Sequence, residues 1–207
     1  MKTRWGIRLA ILLLLPVSLH GNSVITDPVL GPIGNTAGNN TLGFDFTVGV
    51  QPIQVTALGL WDFGLGGFGY AHEVGLWNSS GVLLGSVLIP SGSAAPLDGQ
   101  FRYQNLSAAL TLFPGQRYVL GAHFAAGDTT DLLIVHYQGD QAIFDSAVIP
   151  GRIRYYENAG FTFPSNDGLI GSEVGPNAIF TVIPEPSVPI LLLGCAALVT
   201  VSRRKAA

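Results

Sequence analysis

From Leu42 to Val48 every second residue is large and apolar, with Leu42, Phe44, Phe46 and Val48 separated by Gly43, Asp45 and Thr47. Side chains of a strand alternate between two faces, so this spacing fits a strand with one buried face and does not fit a helix. Comparable short segments recur along the chain: Ile53 to Leu60, His72 to Trp77, Val82 to Ile89, Phe101 to Leu106, Tyr118 to Phe124, Leu132 to Tyr137, Arg152 to Glu157 and Ala178 to Ile183. Each is set off by Gly, Pro, Asn or Asp, the residues that turn a chain. Asn78-Ser79-Ser80-Gly81 joins two of them and predicts a hairpin. Ser107 to Leu112 fits either a short helical turn or a continuation of the preceding strand, and no long amphipathic helix or clean repeat is present. About eight to ten short strands predict an all-β fold, an antiparallel β-sandwich or jelly roll.

The two ends are of a different kind. Lys2, Arg4 and Arg8 precede an apolar run from Leu9 through Leu15 that Pro16 ends. A basic segment followed by a short apolar one is the pattern of a secretory signal peptide, and residues 1–21 are expected to be removed. Such a run is too short to cross about 30 Å of hydrocarbon as a helix. At the other end Pro184-Glu185-Pro186 is followed by an apolar run from Val188 to Val201, then Arg203-Arg204-Lys205 and two alanines. As a helix that run would span about 21 Å, short for a membrane crossing, and its basic end would stay on the cytoplasmic side. This divides the chain into residues 1–21, a domain of residues 22–183 and a tail of residues 184–207.

The order of Pro184, Glu185 and Pro186, a short hydrophobic stretch, and Arg203, Arg204 and Lys205 resembles the PEP-CTERM sorting signal of Gram-negative bacteria. The resemblance implies recognition and cleavage by an exosortase, a membrane transpeptidase, in bacteria that make exopolysaccharide and biofilm. It implies an exported protein held in the membrane by the tail before processing, with the outer surface or the extracellular matrix as its destination.

A second resemblance covers residues 40–183. Gly43-Phe44-Asp45-Phe46-Thr47-Val48, Val55-Thr56-Ala57-Leu58-Gly59, His72-Glu73-Val74-Gly75-Leu76-Trp77, Phe101-Arg102-Tyr103, Pro114-Gly115-Gln116-Arg117-Tyr118-Val119-Leu120-Gly121 and Gly175-Pro176-Asn177 are similar to a domain of unknown function common in PEP-CTERM proteins. That family implies an immunoglobulin-like or jelly-roll sandwich and supplies no catalytic residues.

Charge narrows the partners. Only 11% of residues are charged, against about 25% in ordinary soluble chains. Six of the ten basic residues lie in the two end segments, which leaves Arg102, Arg117, Arg152 and Arg154 against twelve acids in residues 22–183, a net charge of -8. A domain so acidic repels phosphate backbones, so no nucleic-acid partner is expected. The single cysteine, Cys195, sits in the apolar tail, so the domain has neither a disulfide nor a cysteine metal site.

Chemistry has few candidates. The domain carries His72, His123 and His136 without a His-x-x-x-His spacing, and no Gly-x-Ser-x-Gly elbow. His72 and Glu73 are adjacent in a strand, so their side chains point to opposite faces. Asp128 and Asp131, beside Gly127, are possible oxygen ligands for calcium, but the Asp-x-Asp-x-Asp-Gly loop is absent and solvated loop acids are the expectation. Neither catalytic residues nor a cofactor are expected. Glycines 64, 66, 67 and 69 form a loop that lacks the Lys-Ser or Lys-Thr of a phosphate loop. Around it stand aromatics, of which Trp61, Tyr70 and Trp77 are the candidate glycan contacts if they are exposed side by side. The function expected is structural or adhesive within an exopolysaccharide matrix, with a carbohydrate-binding module as the alternative and a secreted hydrolase behind it.

Overall fold

A computed structural model describes residues 21–28, 33–34, 38–137 and 142–184. The N-terminal segment and the tail beyond Pro184 lie outside the described residues, as do the expected sites Glu185, Pro186, Arg203, Arg204 and Lys205. Among the described residues no helix is long and apolar enough to cross a membrane.

The strands in chain order are β1 (Asn22–Ser23), β2 (Ile25–Asp27), β3 (Ile33–Gly34), β4 (Asn40–Val48), β5 (Ile53–Trp61), β6 (His72–Asn78), β7 (Leu83–Ile89) and β8 (Leu97–Asp98). They continue with β9 (Phe101–Leu112), β10 (Arg117–Phe124), β11 (Leu133–Tyr137), β12 (Ile143–Phe144), β13 (Val148–Tyr156), β14 (Asn166–Val174) and β15 (Pro176–Val182). One sheet has the order β1-β15-β5-β9-β8, the other β3-β11-β14-β13-β4-β10-β6-β7, and β12 pairs with β2. Every described pairing is antiparallel. A single 3-10 turn, Phe63–Leu65, stands among the described residues, so the protein is all-β.

One core joins the sheets. Val55, Leu58 and Leu60 of β5, Phe101 of β9 and Phe180 of β15 share a buried cluster with Phe44 and Phe46 of β4, Val74 and Leu76 of β6, and Leu120 and Phe124 of β10. Each large apolar side chain so buried contributes about 1.5–3 kcal/mol, which lets a domain without a disulfide hold together on its core. The alternation of Phe44, Phe46 and Val48 does place these three inside. Leu42, the fourth member, is only half-buried. Asp45, on the opposite face of β4, is also covered: its Oδ1 accepts from the Arg152 amide at 2.8 Å, and the Arg117 and Arg154 guanidiniums approach Oδ2.

Val82 to Ile89 and His72 to Trp77 form the expected hairpin, with the Asn78 side chain accepting from the Ser80 and Val82 amides. Ser107 to Leu112 continues the strand: β9 runs on to Leu112 opposite Ile53. A buried amide fastens the N-terminal strands to the sheet. Asn177 accepts from the Ile25 amide at 2.9 Å and donates to the Ile25 carbonyl and to the Tyr103 hydroxyl, each at 3.0 Å.

Candidate functional site

His72 opens β6 on the face that also carries Val74 and Leu76, so the alternation turns its ring into the core while Glu73 points to solvent. The ring lies between Phe68, 5.3 Å away edge-on, and Phe124, at 5.1 Å. Its Nδ1 is 2.9 Å from the carbonyl oxygen of His123. A carbonyl can only accept, so Nδ1 carries a proton and donates it. The other nitrogen, Nε2, lies 2.9 Å from Oδ2 of Asp131 and 3.6 Å from Oδ2 of Asp128.

Both aspartates come from the loop between β10 and β11. Asp128 is fully buried and Asp131 is 7% exposed, which corrects the expectation of solvated loop acids. Asp128 folds its own loop with Oδ1, which accepts from the amides of Thr130 at 3.2 Å and Asp131 at 3.1 Å. Its Oδ2 has no hydrogen-bond partner, and 3.6 Å to Nε2 is beyond hydrogen-bond reach. Asp131 accepts from the Gly69 amide on Oδ1 and the Tyr70 amide on Oδ2, each at 2.9 Å. Gly69 permits that approach, because a Cβ there would meet Thr130 Oγ1 at 2.2 Å. Two loops and the start of β6 thus meet on one histidine and two carboxylates whose ligand atoms lie within 4.8 Å of one another.

A second buried charge pair organises the glycine loop. Arg102 Nε donates to Asp62 Oδ2 at 2.6 Å, and its other nitrogens donate to the carbonyls of Ser93, Ala95 and Leu65. Asp62 also accepts from the Gly67 amide. Gly67 has a φ of 91°, and a Cβ there would strike the Gly92 backbone at 2.4 Å, so glycine is required.

The condition on which Trp61, Tyr70 and Trp77 would serve as glycan contacts, exposure side by side, is not met. Trp61 is 2% exposed and Trp77 3%. Trp61 closes one end of the core, with its Nε1 donating to Gln100 at 3.3 Å. Trp77 lies on the outer face of β6 but is roofed by Phe161 and Phe163, with ring centroids 5.2 and 6.3 Å away. It fits there because its neighbours are glycines: a Cβ on Gly75 would be 2.5 Å from the indole, and one on Gly121 3.2 Å. Tyr70 alone of the three is exposed, and its hydroxyl reaches the Gly127 carbonyl at 3.4 Å. Phe63, exposed beside Trp61, is 5.4 Å from it.

His123 Nε2 donates to Asn39 Oδ1 at 2.9 Å, and burial holds its pKa below the ordinary value. His136 lies in β11 opposite Ser172. An open groove of about 510 Å³ lies elsewhere, lined by Asn78, Ser80, Thr111, Phe113, Gln116 and Arg117 among others, and these bring neither a carboxylate nor an imidazole. Compared with known proteins, the chain matches no family model and no curated protein.

Proposed function

We propose that this chain is an exported, exosortase-sorted surface or matrix protein whose sandwich has a structural or adhesive role among exopolysaccharides. The observation that carries the reading is the way the folded strands fit between the two end segments. The first described strand starts at Asn22, directly after the signal-like segment, and the last ends at Val182, two residues before Pro184-Glu185-Pro186. A sandwich with its own core is a durable spacer or adhesive unit, and a net charge of -8 over residues 22–183 favours solubility in a polyanionic matrix. The described titratable cluster is buried, which argues for a structural role over turnover of a polymer.

Deleting Pro184 to Ala207 in the native host should divert the protein to the medium or the periplasm. Unchanged surface location in the deletion strain would contradict the sorting role.

The groove favours a second reading, contact with a polysaccharide chain. Phe113 is 59% exposed beside the half-exposed Arg117, with the amides of Asn78 and Gln116 nearby, so an apolar face and polar donors converge on one open surface. Glycan-array binding lost in Phe113→Ala and Arg117→Ala would support it, and absence of binding to any glycan would remove it.

A further inference from the structure

We propose that His72, Asp128 and Asp131 hold one divalent first-row transition ion, with Zn²⁺ the best match, through His72 Nε2, Asp128 Oδ2 and Asp131 Oδ2. Such a site would form whether or not the chain is sorted. Because Nδ1 must donate to the His123 carbonyl, a neutral ring presents a bare lone pair at Nε2, and that lone pair faces two carboxylate oxygens at 2.9 and 3.6 Å. Lone pair against carboxylate is repulsive, so something positive belongs between them. A proton on Nε2 would satisfy Asp131 alone. It would leave Asp128 Oδ2 unpartnered in a fully buried carboxylate, an expensive arrangement away from water. A divalent ion serves all three atoms and balances the two negative charges.

The surroundings are those of a buried site with three protein ligands, which leaves the fourth position of a tetrahedral ion to water. Metal-binding histidines donate their second ring nitrogen to a carbonyl or carboxylate, as His72 does to His123. Zinc bonds of about 2.0–2.2 Å to nitrogen and carboxylate oxygen set tetrahedral ligand atoms roughly 3.4 Å apart, a spacing that falls between the 2.9 and 3.6 Å from Nε2 to the two oxygens. Calcium takes oxygen ligands, whereas imidazole suits zinc and its neighbours, so the histidine selects the ion class. The described arginine ion pairs lie elsewhere, with Arg102 on Asp62 and Arg117 and Arg154 at Asp45. Bound metal would clamp the Gly69–Tyr70 loop and the loop between β10 and β11 to the start of β6.

The test uses the full chain, purified without a polyhistidine tag, stripped with EDTA and titrated separately with Zn²⁺, Mn²⁺ and Ca²⁺. Metal content and thermal unfolding are both read. One Zn²⁺ per chain is expected, and a hundredfold excess over Kd should raise Tm by about 5–10 °C. Asp128→Asn keeps the Oδ1 acceptor for the Thr130 and Asp131 amides but removes the ligand oxygen. It should weaken Zn²⁺ binding at least about tenfold, as loss of a metal-site group does, and so cut the Tm rise at the same Zn²⁺ concentration to about half or less. His72→Gln gives the same reading should Asp128→Asn fail to fold. A wild-type chain that ignores Zn²⁺ overturns the proposal. Response to Ca²⁺ alone overturns the ion class, and Zn²⁺ bound equally by wild type and both variants overturns the site.

Discussion

Replacing Arg102 with methionine should destabilise the protein more than any surface change, and the magnitude can be worked from its contacts. Arg102 donates to Asp62 at 2.6 Å and to three carbonyls, those of Ser93, Ala95 and Leu65. Ser93 and Leu65 are exposed, so water can replace the donor at those two carbonyls. Asp62 is 1% exposed and would keep only the Gly67 amide. Removing one partner of a buried pair costs about 3–5 kcal/mol, because the other charge stays buried without compensation. A loss of about 4 kcal/mol corresponds to a Tm lower by roughly 8–16 °C for a domain of this size. Asp62→Asn combined with Arg102→Met removes the stranded charge while keeping an acceptor for Gly67, and should recover about 2 kcal/mol of that loss. Urea unfolding of the three proteins measures both quantities, and amide exchange at Gly67, Phe68 and Gly92 should accelerate first. An Arg102→Met protein within about 1 kcal/mol of wild type would refute the reasoning. So would a double variant no more stable than the single one.

Trp77→Ala should cost about 3–5 kcal/mol, as removal of a buried aromatic does, whereas Tyr70→Ala should change stability by under about 1 kcal/mol. Equal effects in chemical denaturation would contradict the burial difference between them. Burial pushes the Tyr103 phenol up, with Asp98 adding to the shift against the Asn177 hydrogen bond. Its folded pKa lies above the ordinary value of 10.0, so the unfolded chain releases this proton first and stability falls as pH rises past about 10. Denaturant titrations from pH 9 to 11 should show that decline, and Tyr103→Phe should flatten it.

The sandwich was legible because its strands obey a period of two. Phe44, Phe46 and Val48 fall in the core as their spacing requires, and Asn78 makes the turn that its neighbourhood suggests. β14 was not legible, since Asn166-Asp167-Gly168 at its start and Gly171 within it read as turn residues; it is a strand through its ladders to β13 and β11. The cover over Trp77 was not legible either. Its alternation correctly put it on the outer face of β6, but the roof of Phe161 and Phe163 comes from a segment more than eighty residues away and leaves no periodic trace. The cluster was half visible. His72, Asp128 and Asp131 each stood out, yet nothing local says that the loop after β10 folds back over β6. Their meeting follows from the pairing of β10 with β6, which sets His123 and His72 at the same end of the sheet. Arg102 and Asn177 could have drawn notice as polar residues within apolar strands, although their partners, 40 and 152 residues away, could not be deduced.

Export and sorting are tested most directly by mass spectrometry of the protein recovered from its native host. A mature chain that begins near Asn22 and has lost the apolar run and Arg203-Arg204-Lys205 is the predicted result. A recovered chain that still carries both end segments would contradict it.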